Sequence, residues 1–229
     1  MTTMPAPAVL PAAPSSPSTG LSPWSRAATT LPIAAGAGVL LGVGDLWWNL
    51  HSPGPGATVA NSCAAWAIAP FVLGAFLTLV LRTGAAVAAV AGVLMLGVAV
   101  EAYYVAGVVW LGDDPSIVTS PVAHYWLVLA VVVGSALGAA GSWAAGGSAG
   151  PAIIGTATGA SLLLGDALQL WQTSYAGADL GEARILAILG ALVLAASLRR
   201  PLVTLAAAVL CVPASVLVAA IFVATGVWM

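Results

Sequence analysis

Apolar residues fall along this chain in long stretches separated by short polar breaks. The stretches lie at about 28–50, 63–81, 85–110, 122–142, 151–171, 182–198 and 202–227. Most approach the ~20 consecutive apolar residues that a helix needs to cross a bilayer. The breaks carry turn-forming residues: HSPGPG at 51–56, GDDPS at 112–116 and GGSAGP at 146–151. The pattern predicts an all-α, polytopic transmembrane helical bundle of about seven spans. The sixth stretch is the shortest, and its length leaves open whether it spans fully. Pro70 and Pro213 fall inside the second and seventh predicted helices, where each removes a backbone hydrogen bond and kinks its helix.

Residues 1–26 break the pattern. They are rich in Pro, Ser, Thr and Ala, with no charge before Arg26. Such a segment has too little apolar surface to build a core and is expected to be a disordered cytoplasmic tail. It lacks the charged start of a secretory signal. Residues 27–229 then form the transmembrane helical domain.

Composition points the same way. Hydrophobic residues make up 61% of the chain and charged residues 5%, against about a quarter charged in soluble domains. Lipid is therefore the expected partner of most of the surface. The net charge of −2 and the absence of Lys leave no basic patch for nucleic acid. Cys63 and Cys211 are expected at different depths, so they do not read as a disulfide.

Arg26, Arg82, Arg199 and Arg200 fall at breaks on one side of the alternation, and only Arg184 on the other. Positive residues stay cytoplasmic. The expected location is the plasma membrane, with the N-terminus cytoplasmic and the C-terminus external. Most Trp and all four Tyr fall in the predicted outer half.

Three acidic residues lie inside predicted spans: Asp45 in GVGDLWWN, Glu101 in GVAVEAYY and Asp166 in LLGDALQLW. Each sits in an odd-numbered helix with aromatics just after it, suggesting three repeated helical hairpins plus one helix. A carboxylate in a span must be offset by partners or water. Asn49, Tyr104 and Gln169 follow the three acids at i+3 or i+4, on the same helix faces. Gly38 and Gly42 precede Asp45, Gly97 precedes Glu101, and Gly155 and Gly159 precede Asp166, so these faces are expected to point into the bundle. With His51, Asn61 and His124 at its mouth, an outward-facing acidic pocket would bind or transport a proton, a cation or a small polar solute. The alternative is a non-transporting structural, assembly or partner protein whose polar residues only hold the helices together.

No ligand pair has a diagnostic metal spacing. Asn61-Ser62 reads as a helix cap and Asp113-Asp114 as a solvated turn. No hydrolase, kinase, zincin or dinucleotide signature is present. An enzyme, a metal and a cofactor are therefore not expected.

NSCAAWAIAPFVLGAF at 61–76, LRTGAAVAAVAGVLML at 81–96 and EAYYVAGVVW at 101–110 resemble a family of small bacterial polytopic membrane proteins, domain of unknown function 6518. The cues are Asn-Ser before a Trp-bearing helix, Arg after it, and a Tyr pair in the next helix. The resemblance implies a multi-pass membrane fold. It brings no activity, so no site residue is carried over.

The Arg pattern makes a testable prediction. A reporter fused after Met229 reads as external, and one fused at Arg82 reads as cytoplasmic. A cytoplasmic C-terminus contradicts seven spans, the sixth failing first.

Overall fold

The computed structural model describes residues 23–52, 62–173 and 180–225. Among them are seven α-helices and no strand: α1 (Pro23–His51), α2 (Cys63–Leu81), α3 (Ala85–Leu111), α4 (Pro121–Ala145), α5 (Ala149–Thr173), α6 (Gly181–Ala196) and α7 (Pro201–Thr225). A 3₁₀ helix, η1 (Pro115–Thr119), joins α3 to α4. The expected disorder of residues 1–22 and the role of Asn61 lie outside the described residues. So does the side chain of Cys63. Residues 23–26, expected in the tail, instead form the first turn of α1, with Pro23 at a first-turn position that needs no N–H partner.

Helix ends follow local chemistry. The Ser62 hydroxyl accepts the Ala65 N–H (3.1 Å) and starts α2. The Ser120 hydroxyl accepts the Ala123 N–H (3.2 Å) and starts α4, with Pro121 at its first position. Gly112 ends α3 at φ 72°, a left-handed turn that glycine adopts without a Cβ clash.

Six of the helices are long and apolar enough to cross a membrane. The exception is α6, whose 16 residues span about 24 Å at 1.5 Å each. It still runs antiparallel to α5: a Cβ on Gly190 would meet Leu164 and the Ala160 carbonyl, while Leu186 packs with Leu163 and Ala167.

The alternating helices define two ends. Arg200 Nη1 donates to the Gly146 carbonyl (2.7 Å), tying the α6–α7 turn to the α4–α5 turn. Arg82 and Arg199 belong to this arginine end. Asp45, Asp113, Asp114 and Glu182 belong to the opposite, acidic end, together with Arg184.

The largest interfaces are α3 with α4, α5 with α7, α1 with α3, and α2 with α4, while Ala34 of α1 also packs in one cluster with Leu73 and Leu77 of α2. Glycines set these seams. A Cβ on Gly42 would lie 2.1 Å from the Ala99 carbonyl oxygen. One on Gly92 would lie 2.2 Å from the Gly134 oxygen, and one on Gly138 would lie 2.3 Å from the Ala88 oxygen. Between α2 and α4, Thr78 donates to the Ser142 hydroxyl (2.8 Å).

Alanine at the seams must push backbones apart, costing about 1–3 kcal/mol as overpacking does. Gly36 and Gly97 have nothing within 4 Å of an added Cβ. There, alanine gains up to about 1 kcal/mol of helix propensity. Gly92→Ala and Gly138→Ala should therefore lower the melting temperature of the purified protein, while Gly36→Ala and Gly97→Ala hold or raise it. Equal effects at all four positions would show that the seams are not set by glycine.

Candidate functional site

A helix leaves its first N–H groups without intrahelical partners. The start of α2 lies at the acidic end, between α1 and α5, and Ser62 satisfies only one of its donors. An acid of one flanking helix takes up another, and an acid of the other flanking helix holds a nearby side chain. Asp166 of α5 accepts a hydrogen bond from the Ala64 backbone N–H. Asp45 of α1 accepts one from the Trp66 side chain. The two acids thus hold the start of α2 from α5 and from α1. The helix dipole favours negative charge at this point.

The Asp45 surroundings are further satisfied. Its residue is 6% exposed, and Asn49 Nδ2 approaches its Oδ2 at 3.4 Å, as the i+4 spacing predicts. The Trp66 ring packs edge-on to Tyr103, with centroids 6.0 Å apart. The Tyr103 phenol is within electrostatic reach of both Asp45 and Asp113.

Asp166 is different. It is 2% exposed, and Gln169 is 8% exposed. Asp166 Oδ2 and Gln169 Oε1 are both buried without any hydrogen-bond partner. The i+3 pair is on one face as the spacing predicts, yet two acceptors cannot satisfy each other. Gln169 uses its amide on Thr173 (3.4 Å). Glu182, at the start of α6, acts on Asp166 as a like charge.

Glu101 joins neither acid. It lies in an open groove of about 780 Å³ lined mainly by apolar residues of α1 and α3, among them Val39, Val43 and Val105. The expectation that all three acidic faces point into the bundle is corrected here. The face of α3 that meets α1 carries Met95, Val98 and Ala99, and Glu101, three residues past Val98, stands at the open edge of that seam. Gly97, four residues earlier, is equally open.

The two histidines are exposed side chains. His51 stacks on Trp47 with centroids 4.8 Å apart, and its Nδ1 lies 2.7 Å from the Trp47 carbonyl. His124 Nδ1 lies 2.9 Å from the Ser120 carbonyl. Tyr104 packs edge-on to Tyr103 at 5.7 Å, and both line a second cavity beneath η1. Among the described residues, no group of three His, Cys, Asp or Glu side chains is placed to hold a metal ion.

The sequence model of one protein family matches residues 21–227. The chain belongs to the family of unknown function DUF6518. Curated proteins and solved structures contain no match to this DUF6518 chain.

Trp66, the Ala64 N–H and Glu182 are site components that spacing alone missed. The available signal was the start of α2, where one Ser cap leaves other orphan donors that need partners.

Trp66→Phe keeps an aromatic side chain and removes the donor to Asp45. A buried acceptor that loses its partner costs about 1–3 kcal/mol. Trp66→Phe should therefore lower thermal stability in the Asp45 background and much less beside Asp45→Ala, which has no side-chain acceptor. Additive losses in that double-mutant cycle would show that the pair does not interact.

Proposed function

We propose that this chain is a multi-pass membrane protein that binds a small cationic or hydrogen-bond-donating species at its acidic end. The species is a proton, a cation or a small polar solute. The carrying observation is the buried pair of unpartnered acceptors, Asp166 Oδ2 and Gln169 Oε1. Two buried acceptors on one helix face without a donor are costly in a low-dielectric interior. A bound donor satisfies both, and Glu182 adds charge that favours a positive one. By the Arg pattern, this end faces outward.

A second reading is favoured by the Ala64 and Trp66 contacts. Asp45 and Asp166 then serve only to pin α2 between α1 and α5, and the protein is a structural or assembly component.

Asp166→Asn separates the readings. The amide oxygen still accepts from Ala64, while its NH₂ puts a donor where Oδ2 was an unpartnered acceptor. Wild-type melting temperature should respond to pH or to added ammonium or sodium, by mass action on the folded state. In Asp166→Asn that response should vanish, with basal stability equal or higher. A wild type indifferent to pH and to both cations would leave the pinning reading, under which Asp166→Leu alone is destabilising.

A further inference from the structure

On the other flank of the acidic end, α1, α3, η1 and α4 enclose a cavity of about 480 Å³. Small-molecule pockets run roughly 300–1,000 Å³. Leu46, Leu111 and Ile117 form apolar wall, and Tyr103, Tyr104 and Asp113 bring aromatic and acidic groups to the same space. The geometry that places Asp113 there is specific. Gly112 turns the chain back at φ 72°. Gly107, lacking a Cβ, then leaves room for the Asp113 carboxylate against α3: an added Cβ would lie 2.7 Å from Oδ2.

The two neighbouring acids have different uses. Asp114 caps η1, accepting the Ser116 N–H at 2.8 Å. Hydrogen bonds from Ser116 hold its carboxyl below the usual carboxylate range. Asp113 lines the cavity instead. Asp45 adds a second negative charge within reach of the Tyr103 phenol. No Lys or Arg occurs between residues 83 and 183, so α3, η1, α4 and α5 supply no permanent positive charge to neutralise it.

An apolar wall, two aromatic rings and one carboxylate suit a cation with a hydrocarbon body. Ring faces attract such ions, the more so where water is excluded. A metal ion would need several convergent oxygen ligands, and only one carboxylate lines this space. We propose that this cavity binds a small alkylated ammonium ion, with Asp113 as its counter-charge and Tyr103 and Tyr104 as its aromatic wall. The site is distinct from the Asp166–Gln169 pair and does not depend on what that pair does.

The test is titration calorimetry on the purified full chain at low salt. The probe is choline, and the control is its neutral isostere 3,3-dimethyl-1-butanol. Choline should bind saturably, and the isostere at least about tenfold more weakly, a difference of about 1.4 kcal/mol. Asp113→Asn keeps the shape of the side chain and should weaken choline by about tenfold or more. Gly107→Ala displaces the same carboxylate from the α3 side and should do likewise, so the contact is read twice even where one variant folds poorly. Tyr104→Leu should weaken choline more than Tyr104→Phe. Asp166→Asn should leave choline binding unchanged, which separates this site from the α2 site. No saturable binding of choline or tetraethylammonium, equal binding of the neutral isostere, or full affinity in Asp113→Asn would each overturn the proposal.

Discussion

Where α3 crosses α4, each helix presents a backbone carbonyl to the place where the other would carry a Cβ. Gly92 faces the Gly134 oxygen, and Gly134 faces the Gly92 oxygen. Gly138 repeats the arrangement against Ala88 on α3, while the Gly138 carbonyl meets Gly74 of α2. Lipid tails are as apolar as Leu, so burial of apolar side chains gives helices little reason to associate in a bilayer. Close backbone approach does, through dispersion and many short-range contacts. One glycine-lined crossing thus sets the spacing of α2, α3 and α4, and α1 joins through Gly38 and Gly42.

The polar chemistry follows from that spacing. With α4 drawn against both α2 and α3, the start of α2 is enclosed between α1 and α5 rather than open to solvent. A helix start in such a place must have its N–H groups satisfied by neighbours. Asp166 does this for Ala64, while Asp45 holds the Trp66 side chain from a second helix. Gln169 is brought along by its position three residues past Asp166. That its unpartnered carbonyl shares a helix face with the unpartnered Asp166 oxygen is therefore a product of helix register as well as of residue choice.

Much of this fold was legible in the chain. Apolar run lengths placed all seven helices within a few residues, because in lipid the run itself is the constraint. The i+4 pairing of Asp45 with Asn49 and the Ser62 cap are local events, so spacing captured them. The Gly38–Gly42 and Gly155–Gly159 pairs marked true contacts for the same reason. Glu101 was misread because one glycine four residues earlier cannot say which of two helix flanks is packed. Trp66 and the Ala64 N–H escaped notice because their partners are about twenty and one hundred residues away. Only the crossing of helices brings them together. Asp113 was hidden by its neighbour: Asp-Asp before Pro reads as turn chemistry, and only Asp114 performs it.

The shortness of α6 has a consequence for the surrounding lipid. Its 16 residues give about 24 Å of helix against about 30 Å of hydrocarbon. Its neighbours α5 and α7 have 25 residues each. A bilayer relieves such a mismatch by thinning, at a fraction of a kcal/mol per Å. Beside α6 the headgroup layer would dip toward the mid-plane, carrying water down the flank of the protein. Glu182 stands at the top of that short helix and Asp166 next to it. The dip would give the buried pair an aqueous route through deformed lipid, with no channel cut through the protein.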